Sequence, residues 1–286
     1  MPVIATNTAA NTSLIYLNRN SAEQSRSLSK ISSGTRIVRA SDDAAGLAVS
    51  SRISADIATL EQASRNTLQA RAVLQTADGA LARVADILQR MKSLAAQSLS
   101  GSVDNNARGF INQEYRLLND EINAIGINTE FNGQQLINGT YTPVVGTFLV
   151  GVDSGDTIAI NLSAVDIDTT DNLGDNGSPF DVVIDLTSVD TSANATQAFD
   201  SVDIAIDQIS SYRADIGALV SRFEQRGEYI VTALENLTAA NSSIKDVDIA
   251  AEQTKLVASQ VLTEASIAAL AQANSTKASL LQLLVP

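Results

Sequence analysis

The chain has 286 residues, a net charge of −13 and 44% hydrophobic residues, yet no tryptophan and only 4% aromatics. With no cysteine and no histidine, it has no thiol nucleophile, no imidazole base and no Cys or His zinc site. Fifteen acidic residues and no lysine or arginine lie between Leu117 and Tyr212, against 17 acidic and 19 basic elsewhere, so an acidic middle separates nearly neutral arms and no basic stripe serves nucleic acid.

Residues 4–33 are predicted to form an amphipathic helix. Leu14, Leu17, Ser21, Gln24, Leu28 and Ile31 recur by threes and fours, as in a coiled-coil seam. Gly34 supplies the C-cap. A polar connector, Arg36 to Ala40, leads to Ser41, Asp42 and Asp43, whose side chains suit the start of a new helix.

That helix is predicted over Ala44–Leu99. Its seam is Ala70, Val73, Ala77, Ala80, Val84, Ile87, Met91 and Leu94, with Leu74, Leu81, Leu88 and Ala95 beside it at seven-residue intervals. A helix of that length, about 80 Å at 1.5 Å per residue, needs partners of similar length. A loop at 101–106 precedes a shorter helix over 107–125. Thr129-Glu130-Phe131-Asn132-Gly133 reads as a turn. Phe148–Val152 and Thr157–Leu162 flank Asp153-Ser154-Gly155-Asp156 and read as a hairpin. Residues 163–195 are rich in Asp, Thr, Ser, Asn and Gly, with one strand candidate at Asp181–Leu186.

Helix resumes near Thr196 and continues through Val202, Ile209, Ile216, Phe223 and Ile230 to a break expected at Asn241-Ser242-Ser243. The stretch 256–286 follows with only Glu264 and Lys277 charged. Its apolar residues, among them Val257, Val261, Leu262, Ile267, Leu270, Leu280, Leu281, Leu283 and Leu284, spread around the helical wheel, so it needs burial on most sides. The expected fold is mainly α with a small β part. N- and C-terminal arms form a long antiparallel helical rod or coiled coil, with a β-hairpin region in the middle. No uninterrupted apolar run reaches eighteen residues, so no membrane insertion is expected. MPVIATNTAANTSL lacks the basic and apolar regions of a cleaved signal peptide.

Several motifs now fall together. Ser29–Ile53, SKISSGTRIVRASDDAAGLAVSSRI, is similar to the N-terminal signature of bacterial flagellins. TEFNGQQLING at 129–139 resembles that family's T-x-F-N-G-x-x-L-L-x-G, with Ile137 for Leu. ALENLTAANSSIKDVDIA at 233–250 and Ala271-Gln272-Ala273-Asn274 resemble its C-terminal signature. The resemblance implies a structural subunit that polymerises into the extracellular flagellar filament for swimming motility, not an enzyme, and without cofactors. The hook–filament junction protein of the same flagellum is the alternative. It implies terminal helices of an inner tube at 1–43 and 244–286, termed D0. The helical rod with its hairpin, termed D1, spans 44–165 and 196–243. Residues 166–195 are then a short acidic variable region without large outer domains.

The residues expected to polymerise are Leu14, Leu17, Leu28, Ile31, Leu262, Ile267, Leu270, Leu280, Leu281, Leu283 and Leu284. Implied partners are other copies of the chain or sister flagellins, the export apparatus and a secretion chaperone, and the hook-associated junction and cap proteins. Gln89, Arg90, Leu94 and Glu114 resemble the patch recognised by the toll-like receptor of animal hosts, though Ser93 stands where well-recognised members carry Glu. An Arg90–Glu114 salt bridge is the structural alternative. Asp166, Asp168, Asp171 and Asp175 fit a solvated acidic surface better than a calcium loop, since position six of the loop is Asp171 and not Gly.

Overall fold

The computed structural model describes residues 6–137, 147–162 and 188–282, with side chains as far as 279. The elements in order are α1 (Thr8–Ser33), α2 (Ala44–Leu99), α3 (Asn105–Asn128), β1 (Glu130–Phe131), β2 (Gln134–Gln135), β3 (Thr147–Leu149), β4 (Thr157–Ala159), α4 (Ser192–Lys245) and α5 (Ile249–Gln282). The chain is thus mainly α, with two small antiparallel sheets among the described residues, β1–β2 and β3–β4. It divides into two compact units, Met1–Ile57 with Glu235–Pro286, and Ala58–Leu234.

Helix starts follow from local chemistry. Asn7, Asp43, Asp104 and Asp248 each accept a bond from the amide three residues on, satisfying a first-turn N–H that lacks an intrahelical partner. Gly34 ends α1 in the left-handed region at φ 70°, where a side chain would be strained.

In the second unit α2 and α4 run antiparallel. Arg71 pairs with Glu224, Asp78 with Arg213 and Lys92 with Asp203. Between them lies an aliphatic core of Leu74, Leu81, Leu88 and Met91 from α2 and Ile209, Ile216 and Phe223 from α4. α3 adds Tyr115 and Ile122 and is tied to α2 by Arg90–Glu114 at 2.7 Å. Each fully buried Leu or Ile contributes about 1.5–3 kcal/mol before entropy is counted, so this core is the unit's main source of stability. Of the expected α2 seam only Ala80 and Ile87 are half-buried and the rest are buried.

The β3–β4 hairpin sits on this bundle through its backbone. Asn66 Nδ2 donates to Leu149 O at 3.0 Å and Arg226 Nε to Val150 O at 2.8 Å. Phe148 meets Phe223 edge-on, 6.1 Å between ring centres. The strands are shorter than predicted, three residues each with Phe148 opposite Ile158. Where the chain returns, Ser98 Oγ donates to Val189 O at 2.6 Å and Val189 N to Asn112 Oδ1 at 3.0 Å. The strand candidate at 181–186 lies outside the described residues.

The break expected at Asn241-Ser242-Ser243 is not there. α4 runs on to Lys245 because the Ser243 hydroxyl donates to the Ala240 carbonyl one turn back and Ser242 Oγ donates to Asp246 Oδ2. Ser and Asn cost only a few tenths of a kcal/mol in a helix when so satisfied. The break falls instead at 246–248.

Candidate assembly surface

In the first unit α1 lies against α5. The side of α1 withdrawn from solvent is Ala10, Ser13, Leu17, Asn20, Gln24, Ser27 and Ile31. On α5 it is Glu252, Leu256, Ser259, Thr263, Ser266, Leu270 and Ala273. Both series alternate by threes and fours, the spacing of a coiled-coil seam, but most members are small or polar. Hydrogen bonds cross it: Asn7 Nδ2 to Ala273 O at 3.1 Å, Asn20 Nδ2 to Ser266 Oγ at 3.2 Å and Ser27 Oγ to Glu252 Oε1 at 2.6 Å.

Glu252 is 6% exposed. The hydrogen bond from Ser27 is the main cause that holds its carboxyl below the usual glutamate value. Burial opposes it, and Lys255, 3.2 Å away, and Lys30 add to the lowering. A buried charge held this way aligns the two helices, because a shift that removed its donors would leave it uncompensated.

Leu256 is buried in this seam and Leu17, Ile31 and Leu270 are half-buried, but many of the large apolar residues stand on the outside. Leu28 is 58% exposed, Val261 58% and Leu262 54%; Leu14, Ile15, Tyr16, Ile249, Val257 and Ile267 are exposed as well. A groove of about 600 Å³ runs along the pair, its lining including Tyr16, Arg19, Ser259 and Leu262. The predicted seam is therefore corrected. Leu17, Gln24 and Ile31 face α5 and are half-buried, whereas Leu14, Ser21 and Leu28 face away. Leu270 is half-buried in the pair, and Leu262 and Ile267 are outside it. The side chains of Leu280, Leu281, Leu283 and Leu284 lie outside the described residues, as do Asp166, Asp168, Asp171 and Asp175.

Sequence reasoning missed Asn7, Asn20, Ser27 and Glu252; the signal that finds them is the same three-four spacing carried by polar residues. A second correction concerns apolarity. Ile249–Ser279 is long and apolar enough to cross a membrane by length and composition, which a search for one unbroken apolar run fails to register.

Backbone bonds fasten the two breaks of this unit together. Arg36 N donates to Lys245 O at 2.6 Å and Val247 N to Gly34 O at 3.2 Å, while Arg36 Nη2 reaches Ile244 O at 2.7 Å. Asp42 Oδ2 accepts from Arg39 N and Val38 N, which shapes the connector and lowers the Asp42 carboxyl. Ile37 is buried, and a Cβ on Gly46 would meet its Cδ1 at 2.9 Å as well as the Asp43 carboxylate; only glycine allows that approach. Beside these, Ser50 Oγ donates to Asn241 Oδ1 at 2.7 Å.

The residues resembling a receptor patch are in the second unit. Gln89 and Arg90 are exposed, and Arg90 grips Glu114 through Nε and Nη2 at 2.9 and 2.7 Å. Leu94 is 1% exposed and belongs to the core, so the surface patch reduces to Gln89, Arg90 and Glu114.

A family model described as the bacterial flagellin N-terminal helical region matches residues 4–142, and one described as the bacterial flagellin C-terminal helical region matches residues 199–284. The chain is 38% identical over 259 residues to a flagellin of Halalkalibacterium halodurans, covering 91% of each. It is 36% identical over 299 residues to a flagellin of Bacillus subtilis, with 97% of this chain and 98% of that one covered. To the flagellar filament 30.7 kDa core protein of Treponema maltophilum it is 35% identical over 283 residues, with 96% and 98% covered.

Proposed function

Because the chain belongs to the bacterial flagellin family, and is therefore a structural subunit of the extracellular flagellar filament and not an enzyme, we propose that its α1/α5 pair is the part that drives polymerisation. The observation that carries this is the inversion just described. A helix pair that turns Ser, Asn, Thr and Glu inward and leaves Leu28, Val257, Val261, Leu262 and Ile267 outside has its apolar surface available for other copies. At about 25 cal/mol per Å², such residues contribute little until a neighbour covers them. Contacts that repeat head to tail without closing give a helical polymer. On this reading residues 1–43 and 244–286 form the inner tube, 44–165 with 196–243 the rod, and 166–195 the outward variable segment.

The double variant Leu262→Asp, Ile267→Asp tests the assignment. It should keep the helicity of the native monomer by circular dichroism and form no filaments under conditions where the native chain does. Filaments of ordinary length from that variant would sink the assignment.

On this reading the further partners are the export apparatus, a secretion chaperone, and the hook-associated junction and cap proteins. Recognition by the host toll-like receptor rests on Gln89, Arg90 and Glu114, with Ser93 weakening it. An Arg90→Ala monomer with undiminished receptor activation would remove that reading.

A further inference from the structure

β1 and β2 are joined by Asn132 and Gly133 alone, since Phe131 lies opposite Gln134 and Glu130 opposite Gln135. Both loop residues have positive φ, 53° at Asn132 and 75° at Gly133, as in a type I′ hairpin turn. Asn132 is the only non-glycine with positive φ among the described residues. Asparagine is one of the few side chains that accept this backbone, so the turn itself explains the Asn-Gly pair. The same pair sets two reactive groups side by side.

An asparagine can cyclise on the backbone nitrogen of the residue that follows. Glycine in that place helps, because no Cβ stands in the way. Asn66, Asn112, Asn123 and Asn241 lie inside helices. There the next N–H is committed to a carbonyl one turn back, and the next residue has a side chain. Asn132 differs in each respect. It is the only asparagine followed by glycine among the described residues, and both members of the pair are exposed. The Asn132 carboxamide has no hydrogen-bond partner and the Gly133 N–H no backbone acceptor among the described residues. A Cβ built on Gly133 would meet nothing within 4 Å.

The left-handed backbone at Asn132 must rotate before the nitrogen can reach the side chain. That rotation is local. Each strand has two residues, and so short a hairpin is marginally stable by itself. The anchors of the segment lie behind the tip. Leu136 N donates to Thr129 O at 3.0 Å and Gln135 Nε2 to Ile127 O at 2.9 Å, and Leu136 and Ile137 are buried. The tip can therefore open and reclose while the rest of the bundle stays folded.

We propose that Asn132 is a site of spontaneous covalent modification, a deamidation through a cyclic imide formed with Gly133. The Gly133 nitrogen bonds to Asn132 Cγ, the Cγ–Nδ2 bond breaks, and the amide leaves as ammonia with the Gly133 proton. Water then opens the imide at either carbonyl and yields aspartate or isoaspartate. One water enters and one ammonia leaves, and nothing is oxidised or reduced. Isoaspartate routes the main chain through the former side chain and lengthens it by a methylene. A two-residue loop cannot absorb that and keep Phe131 opposite Gln134, so the product loosens the turn. It also adds a negative charge to the acidic middle of the chain.

The test is a peptide map of the full-length chain kept in mildly alkaline buffer over days. Chymotryptic fragments are sequenced by electron-transfer mass spectrometry, which separates isoaspartate from aspartate and position 132 from Asn138 and Asn176, both outside the described residues. Asn132 should convert within about tenfold of its rate in the urea-unfolded chain, because opening so short a hairpin costs little. The helical asparagines should stay intact. Asn132 left whole in the folded chain while the unfolded chain converts would show that the turn protects it, and would overturn the proposal. Conversion no faster than at Asn66 or Asn241 would overturn it equally. Asn132→Gly keeps the positive φ without strain and removes the reacting carbonyl. On ageing, the Leu136 amide should lose hydrogen-exchange protection in the native chain and keep it in this variant. Equal loss in both would refute the loosening of the turn by isoaspartate.

Discussion

Set side by side, the α2/α4 pair and the α1/α5 pair obey the same three-four spacing with opposite materials. α2/α4 buries Leu74, Leu81, Leu88, Ile209, Ile216 and Phe223 and sets its ion pairs at the margin. α1/α5 buries Ser27 and Glu252 and sets Leu28, Val261 and Leu262 outside. The first arrangement stabilises a fold within one chain. The second buries Leu256 but aligns its helices largely through hydrogen bonds, each contributing a net of roughly 0.5–1.5 kcal/mol, and leaves outside the aliphatic side chains proposed above for association. Spacing alone therefore marks where helices meet, and side-chain chemistry says whether the meeting is a destination or a stage.

The strongest way to break this contrast is to remove 263–286. The truncated chain should remain a soluble monomer that gives no filaments by electron microscopy, while the near-native melting of the second unit persists. Filaments from it would contradict the division of labour. Next in size is Leu88→Ala, which opens a cavity in the α2/α4 core and should cost about 2–5 kcal/mol of monomer stability. Val261→Ala, its counterpart on the exposed side of α5, should leave the monomer's denaturation midpoint in place and weaken assembly. Equal midpoint shifts for the two would erase the distinction.

A smaller effect should appear with pH. The Glu252 carboxyl is held below the ordinary glutamate value of 4.5 by Ser27, with help from Lys255. Its contribution to α1/α5 pairing is complete above that value and fades as pH falls through the lowered one. Helicity of the monomer followed by circular dichroism from neutral to acid pH should show this loss, and Glu252→Gln should flatten the acid limb. An identical acid limb in the variant would place the effect elsewhere. The smallest effect is expected from Arg213→Ala. It removes a half-exposed pair with Asp78, worth about 1 kcal/mol or less, and a larger loss on urea titration would show that the marginal ion pairs matter more than the core beneath them.

How far the sequence could be read follows the same contrast. The α2 seam was legible from Ala70 to Leu94 because apolar residues there meet apolar residues and the pattern is its own evidence. The α1 seam was legible only in part: Leu17, Gln24 and Ile31 do face α5. Choosing the leucines selected Leu14 and Leu28, which face outward, over Asn20 and Ser27, which face α5. The end of α4 was read too early because Asn241-Ser242-Ser243 looks like a stop, whereas the backbone leaves the helix only where Asp246 and Val247 find partners across the connector. In the receptor-like patch, Leu94 belonged by motif and not by exposure.

The fastening of residues 34–36 to 244–247 also has a consequence for the order in which the chain folds. Ser27 and Glu252 are 225 residues apart in sequence, and closing a loop of that length has an entropic cost. Once Val247 is bonded to Gly34, the path between them shortens to about a dozen residues. At (3/2)RT ln n the saving is about 2–3 kcal/mol. The junction thus acts as a tether that raises the effective concentration of one terminal helix near the other, so that a hydrogen-bonded pair too weak to find its partner across the whole chain can zip from the junction outward.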